Sequence, residues 1–396
     1  MRFAGAAATD ALLRKSINPF CRDFSVTTSS KTLPRVLHVA RMRTAAVGVA
    51  RQMAEEQAAA KEIGIPWDVR LYVPQGKGVN DICVDSEVPA ADKRGFARRF
   101  YYWLDSQAAA YDLIVLRHSV YTFDEGAFIA RSPKPVFLVH HTLEVPELRH
   151  GRGRLGPLLA VLESASGARA LRRAAGAIVM TPEIGRYEQG RVRQPLPTFV
   201  YPNGLRTASA RRFADRRDAG LPELLFVASE FVPWHGLDLV VAAAGRSSAA
   251  FRVHLVGKLS DAQLESVQGD SRFVVHGVLD QGGIAAVADA CTVGLGSFAL
   301  ERKDMRQACT LKVREYLAGG LPVYAGHEDV FPAEFPYFKH GNADFSSILR
   351  YAHEMAGKTR DEVTRSSVPY IDKARLLAKL YGELQDRMRV DFGGVA

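Results

Sequence analysis

A chain of 396 residues, 47 % of them hydrophobic, exceeds one ordinary domain and can fill packed cores, so two globular domains are expected. Its formal net charge of +9 and pI near 9.4 favour anionic partners such as nucleic acid, anionic lipid or phosphorylated substrates. No run of about 18 apolar residues occurs, which excludes a hydrophobic helical span. The four cysteines, Cys21, Cys83, Cys291 and Cys309, are scattered without a Cys-x-x-Cys pattern, which argues against a disulfide scaffold or zinc site and for reduced thiols in the cytoplasm.

Residues 1–33 are poor in acids and carry Arg, Ser and Ala. That composition suits a targeting segment, a misplaced start site or a disordered extension, and an extension outside the fold is the favoured reading. RVLHVA (35–40) is the first strand-like run, followed by a helix from Val47 to about Ile63 with a lone glycine, Gly48, at the turn. One glycine is a weak dinucleotide signal. Further strands are expected at 67–74, 111–118, 135–141, 176–181 and 198–203, mostly separated by helices; this alternation predicts a parallel sheet covered on both faces. Residues 93–110 interleave Lys93, Arg94, Arg98 and Arg99 with Phe96, Phe100, Tyr101, Tyr102 and Trp103. Such a helix either lies on anionic lipid or buries an aromatic face in its own domain, the second reading being favoured. His140 and His141 end a strand and precede Glu144. Arg149, Arg152 and Arg154 follow, then three more arginines in 169–173. They form either a solvated loop or a positive rim for a phosphate-bearing acceptor.

Asn203-Gly204 is a turn signal, and the charged stretch 206–222 reads as a linker. LLFVAS (224–229) opens a second set of strands, continued at 251–258 and 272–280. Between them Glu230 to Asp238 forms a turn from which Gly236 starts a helix. The uncharged run 292–298 predicts a buried strand. A polar loop with Glu301, Arg302, Lys303, Asp304 and Arg306 then leads to Thr310, a candidate N-cap for a helix over 311–318 that Gly319-Gly320 would stop. Its N-terminus opens at the carboxyl edge of a sheet, where free N–H groups suit phosphate. Lys312 and Glu315 share one helix face, so a cation could meet a diphosphate and a carboxylate a sugar or ribose hydroxyl.

Four ordered motifs, PNG (202–204), PWHGLD (233–238), VVHGVLD (274–280) and TLKVREYLAGGLPV (310–323), resemble those of retaining glycosyltransferases of the GT-B fold, family 4, over roughly residues 35–385. The resemblance implies an α/β protein of two Rossmann-like doubly wound domains facing across a cleft: an acceptor-side domain over 34–205, the linker 206–222, a nucleotide-sugar domain over 223–367, and a segment 368–396 returning to the first domain. In that family Glu315 matches the second glutamate of an E-x(7)-E motif, and Gln307 stands at the first, so either Gln307 or Glu301 would take its place. The usual phosphate-contacting arginine and lysine are replaced by Ser229 or Glu230 and by His235, which shifts the neutralising charge to Lys312, Arg306 or Lys258. Gly48 would face donor and acceptor. Lys312, Glu315, His140 and His141 would be catalytic, Gly236 and Thr310 would join the donor contacts, and Glu144, Arg149, Arg152 and Arg154 would lie on the acceptor side.

The implied reaction is hexosyl transfer from a nucleotide sugar to an acceptor hydroxyl with retention, in polysaccharide or glycolipid assembly, at the inner face of a membrane where a lipid-linked acceptor sits. No cofactor is expected beyond the nucleotide sugar. No Asp-x-Asp occurs, and no metal is expected. The alternatives are a sugar-nucleotide epimerase of the same fold and a catalytically silent partner subunit. Nucleic acid fits the charge, but no zinc-finger, RNA-recognition or helix-turn-helix signature is present.

Overall fold

The computed structural model describes residues 33–44, 47–215 and 220–392. The extension expected over 1–33 thus lies, except for Leu33, outside the described residues. The chain runs through β1 (Val36–Arg41), α1 (Val47–Glu62), β2 (Trp67–Val73), β3 (Cys83–Asp85), α2 (Lys93–Ala108), β4 (Leu113–Arg117), α3 (Asp124–Arg131), β5 (Val136–His140), α4 (Glu144–Gly151), α5 (Gly156–Leu171), β6 (Gly176–Val179), α6 (Pro182–Gly190) and β7 (Thr198–Val200). These strands form one parallel sheet in the order β3-β2-β1-β4-β5-β6-β7. Val36, Val39, Leu113, Leu116, Phe137 and Ile178 are buried because helices cover both faces, which explains the continuous apolar runs.

The second half repeats the plan: β8 (Glu223–Glu230), α7 (Leu237–Gly245), β9 (Arg252–Lys258), α8 (Asp261–Gln268), β10 (Phe273–Gly277), α9 (Gln281–Ala290), β11 (Val293–Leu295), α10 (Leu311–Gly319), β12 (Val323–Ala325), β13 (Phe338–His340), α11 (Phe345–Met355), α12 (Arg360–Ile371) and α13 (Lys373–Phe392). Its sheet is also parallel, ordered β10-β9-β8-β11-β12-β13. In each sheet the strand order reverses once, at β1/β4 and at β8/β11, and open α/β sheets bind ligands outside the carboxyl ends at such points.

Two apolar cores match the two sheets. Leu377, Leu380, Tyr381 and Leu384 of α13 pack into the first core, although their helix follows the second sheet. Leu300, Met305, Ala308 and Cys309, from the segment before α10, join the same core. The two lobes are therefore tied by shared apolar packing as well as by the intervening chain.

In α2 the aromatic face is a core face. Phe96, Phe100 and Tyr101 are buried, with Tyr72 of β2 stacked on Phe96 at 5.4 Å. Only Tyr102 of the aromatic run is freely exposed. No described helix is long and apolar enough to cross a membrane.

Candidate functional site

A cavity of about 560 Å³ opens at the carboxyl ends of β8 and β11, the switch point of the second sheet. Ser229, Glu230, Trp234, His235, Ser297, Thr310, Lys312 and Glu315 line one wall, and Gly48, Arg51, Gln52, His141 and Thr142 line the facing wall from the first lobe. A Cβ at Gly48 would meet no atom within 4 Å, so this turn borders open cavity. Gly236 has φ +72°, and a Cβ there would lie 2.9 Å from that of Phe298. Only glycine fits this close approach, which brings the start of α7 against the loop after β11.

Lys312 is the central cation. Its Nζ is buried without a hydrogen-bond partner and lies 5.3 Å from the centre of the Phe226 ring. Burial brings its pKa down to about 7. His235 accepts a hydrogen bond at Nδ1 from the Val232 N–H at 3.2 Å. Burial first, then the charges of Lys312 and Lys303, bring its pKa down to about 3, so it is neutral and carries its proton on Nε2. Thr310 occupies the N-cap position of α10 with extended backbone, but its side chain does not cap. Its hydroxyl is also buried without a partner. The expected cap is thus replaced by a helix start whose first N–H groups remain available. His141 Nε2 and Gln52 Oε1 add two more unpartnered buried atoms from the facing wall. Burial and then the charge of Arg117 push the His141 pKa well down, so this imidazole is neutral too. Four groups able to hydrogen-bond and one cation without a carboxylate therefore converge on one space, an arrangement that fits a polar, anionic ligand.

Glu315 is half exposed and lies 3.4 Å from Arg51 across the cleft. Gln307 also lines the cavity, but its amide is engaged: Oε1 accepts from the Glu183 N–H at 3.0 Å, and Nε2 donates to Glu328 at 3.1 Å. Glu183 in turn accepts from the N–H groups of Arg306 and Gln307. Gln307 is therefore part of a clamp between the lobes.

Several residues expected at the donor do not line this cavity. Glu301 is exposed on a short helical turn, Lys258 points out beside Glu230 at 3.7 Å, and the Arg306 side chain is exposed. His140 and His141 diverge, as neighbours on a strand do. His140 is fully buried, with Nδ1 3.2 Å from each oxygen of Glu144. Glu144, expected on the acceptor side, is a partner of His140 and also lines the second cavity of the cleft. Arg149, Arg152 and Arg154 are exposed, Arg152 beside a second cavity that continues the cleft past His141 and Lys303. Two partly exposed pairs cross the cleft there, His150–Asp304 at 3.0 Å and Lys303–Glu147 at 3.4 Å.

His140 belongs to a buried ionic cluster that sequence reading missed. His118 stacks on it at 4.6 Å and contacts Glu125 at 2.5 Å and Glu163 at 3.0 Å. Arg191 reaches Glu163 and Glu188 at 2.9 and 2.8 Å. Against the opposing effect of burial, the Glu125 charge raises the His118 pKa well above its ordinary value; likewise the bond from His118 brings Glu163 down to about 2. Glu125 and Glu163 also accept from the backbone N–H groups of Ser119 and Tyr121, holding Tyr121 at φ +44°. The cluster shapes the loop after β4. Ligand atoms of His140, Glu144 and Glu188 lie within 4.8 Å of one another, close enough for a metal ion, though Arg191 and His118 already supply positive charge beside them.

The PNG turn meets α10 on the far side of the cavity. Asn203 Nδ2 donates to the Cys309 carbonyl at 2.7 Å, and its own carbonyl accepts from Arg314 Nε at 3.0 Å. Arg314 is fully buried against Asp329, with Nη2 2.6 Å from Oδ1. Its guanidinium also contacts the Cys309 sulfur at 3.1 Å.

No family model and no curated protein matches the sequence. Solved structures do. Sucrose-phosphate synthase from Thermosynechococcus elongatus aligns with a TM-score of 0.59 and 17 % identity over 90 % of this chain and 100 % of its own. A glycosyltransferase from Rickettsia africae aligns at 0.61 and 10 % identity over 91 % and 99 %. HepE from Anabaena, solved with UDP and glucose, aligns at 0.56 and 15 % identity over 88 % and 99 %. Full-length agreement of this kind, with both sheets and the cleft between them, gives the chain the GT-B fold expected from its four motifs.

Proposed function

We propose that the protein is a glycosyltransferase that moves a sugar from a nucleotide sugar to an acceptor hydroxyl with retention at the anomeric carbon. The observation that carries this reading is the unpartnered Lys312 ammonium beside the open start of α10, at the switch point of the second sheet. Lys312, the N–H groups following Thr310 and the Nε2–H of His235 would stabilise the leaving diphosphate. Glu315 would hold a hydroxyl of the donor, and neutral His141 would face the reacting sugar from the other lobe. HepE, of the same fold, holds UDP and glucose, which supports a nucleotide-sugar donor here. Retention rests on the resemblance of the α10 motif. Charge stabilisation by Lys312 and the helix start supports a reaction without a metal. The test is incubation with a panel of UDP-, GDP- and ADP-sugars and sugar acceptors, with and without chelator. Nucleotide release with a product of unchanged anomeric configuration, insensitive to chelator, is expected. Isomerised donor without an acceptor would identify an epimerase, binding without turnover a silent subunit. Loss on chelation restored by a divalent ion would direct attention to His140, Glu144 and Glu188.

A second reading concerns where the reaction takes place. Leu155, Leu158 and Val161 are 64, 60 and 67 % exposed, and Leu162 39 %, on one stretch entering α5. Arg149, Arg152 and Arg154 precede this ridge, and Glu163, the acid of α5, is buried. A second copy would set these like charges against each other, whereas an anionic bilayer complements them. The membrane contact is therefore proposed for this ridge, in place of the buried aromatics of α2. Attraction is about 1 kcal/mol per basic residue near the surface. The protein should co-sediment with vesicles of equal parts phosphatidylglycerol and phosphatidylcholine at low salt, and Leu158→Asn with Val161→Asn should weaken this. Equal binding by the double variant would remove the ridge from the reading.

A further inference from the structure

A cavity of about 1300 Å³ lies at the switch point of the first sheet, beside the carboxyl ends of β1 and β4, and shares Arg117, His118, Val120 and Arg152 with the second cavity of the cleft. It is a trough whose walls are basic. Lys93, Arg94 and Arg98 project into it from the first turns of α2, and Arg41 and Arg43 from the end of β1. Arg117 stands at its floor, half-buried, and Arg152 at the end nearest the cleft. None of these cations forms an ion pair with a carboxylate among the described residues. Arg41 instead lies over the Phe100 and Tyr101 rings at 5.7 and 5.6 Å. Arg131 is already neutralised by Asp105 at 2.7 Å, which leaves Asp124 as the acid opposing them at the surface of the trough. Glu125 and Glu163 lie beneath, occupied by His118 and Arg191.

Like charges gathered in a concave surface repel one another and focus a positive potential. Lys93, Arg94 and Arg98 are not what holds α2 in place: its buried residues are Phe96, Phe100, Tyr101, Leu104 and Ala108. The loop after β4, held by Glu125 and Glu163, brings Tyr121 to the same wall, 43 % exposed, where a ring can stack on a sugar.

We propose that this trough binds an anionic stretch of the acceptor, a glycan bearing phosphate or carboxylate groups, and leads its terminal hydroxyl past Arg152 and His141 to the donor cavity. At about 1300 Å³, with basic residues from Arg43 to Arg152 along it, the trough is roomier than a single phosphate needs and suits a chain of charges. This inference rests on the transfer reading above and names its acceptor class.

Binding without donor tests it separately. Trigalacturonic acid and inorganic tripolyphosphate are titrated into the full-length protein by calorimetry, over a series of salt concentrations, and UDP, GDP and ADP are titrated in parallel. Both polyanions are expected to bind, with affinity falling steeply as salt rises. Arg94→Ala with Arg98→Ala should weaken them about tenfold, the change expected when two solvated cations each contribute as a surface ion pair does. Equal affinity in the double variant would overturn the proposal. So would displacement of the polyanions by UDP, which would put them in the donor cavity, or binding to anionic vesicles without binding to either soluble polyanion. Failure of UDP, GDP and ADP alike to bind while the polyanions do would sink the transfer reading and leave the trough as a polyanion site.

Discussion

Replacing Lys312 by alanine should lower sugar-transfer turnover by about 100- to 1000-fold, the loss typical of one preorganised group at a developing charge. The other cations that line the donor cavity have carboxylate neighbours: Arg51 contacts Glu55 and Glu315, and Lys303 contacts Glu147. Lys258 and Arg306 lie outside it. Little else can take over the diphosphate, and near-normal activity of the variant would mean that the leaving group sits elsewhere. The pH profile supplies an independent readout. With burial holding the ammonium at about 7, kcat/KM, which reports the free enzyme, should fall as pH rises through that value. Stability should move the other way. The unfolded chain keeps this proton up to about 10.5, so between the two values it binds more protons than the fold does, and stability from this group rises with pH.

Replacing Asp329 by alanine should destabilise the protein by about 3–5 kcal/mol, because it leaves the Arg314 charge buried and uncompensated. Both side chains of this pair are 0 % exposed. Urea denaturation would measure the loss, and the double change Arg314→Met with Asp329→Leu should recover much of it. If the single variant matched the wild type, water would have to reach Arg314. The pair also holds the Asn203 carbonyl, so the PNG turn should loosen with it.

Much of the scaffold could be read from local pattern. Both sheets announce themselves as uncharged runs such as 113–116 and 293–295, because each strand is covered on two faces. Lys312 and Glu315 were legible because three residues on a helix share a face, and His235 because it stands in a turn motif. What escaped depends on partners distant in the chain. Glu125, Glu163 and Glu188 look like solvated helix acids until His118 and Arg191 fold against them. Arg314, one residue from a surface glutamate, gave no sign of burial; Asp329 is what makes it possible. Gln307 has the polarity to hold a sugar, but the N–H of Glu183, 124 residues away, takes its amide oxygen. The α5 ridge gives no signal in the sequence, since exposed leucines and buried ones have the same letters.

The bonds that join the lobes are unequal. Near Asn203 they are buried: Arg314, the Cys309 carbonyl, and the leucines of α13 in the first core. Toward Arg152 they are the half-exposed pairs His150–Asp304 and Lys303–Glu147. A body fixed along one edge and lightly latched along the other opens like a book. Its spine runs by the PNG turn, and displacement grows with distance from it. In such an opening the wall built on α10, close to the spine, would keep its shape, while the fore-edge by Arg152 would swing widest. On the transfer reading, acceptors of different bulk would then be admitted without disturbing the hold on the donor.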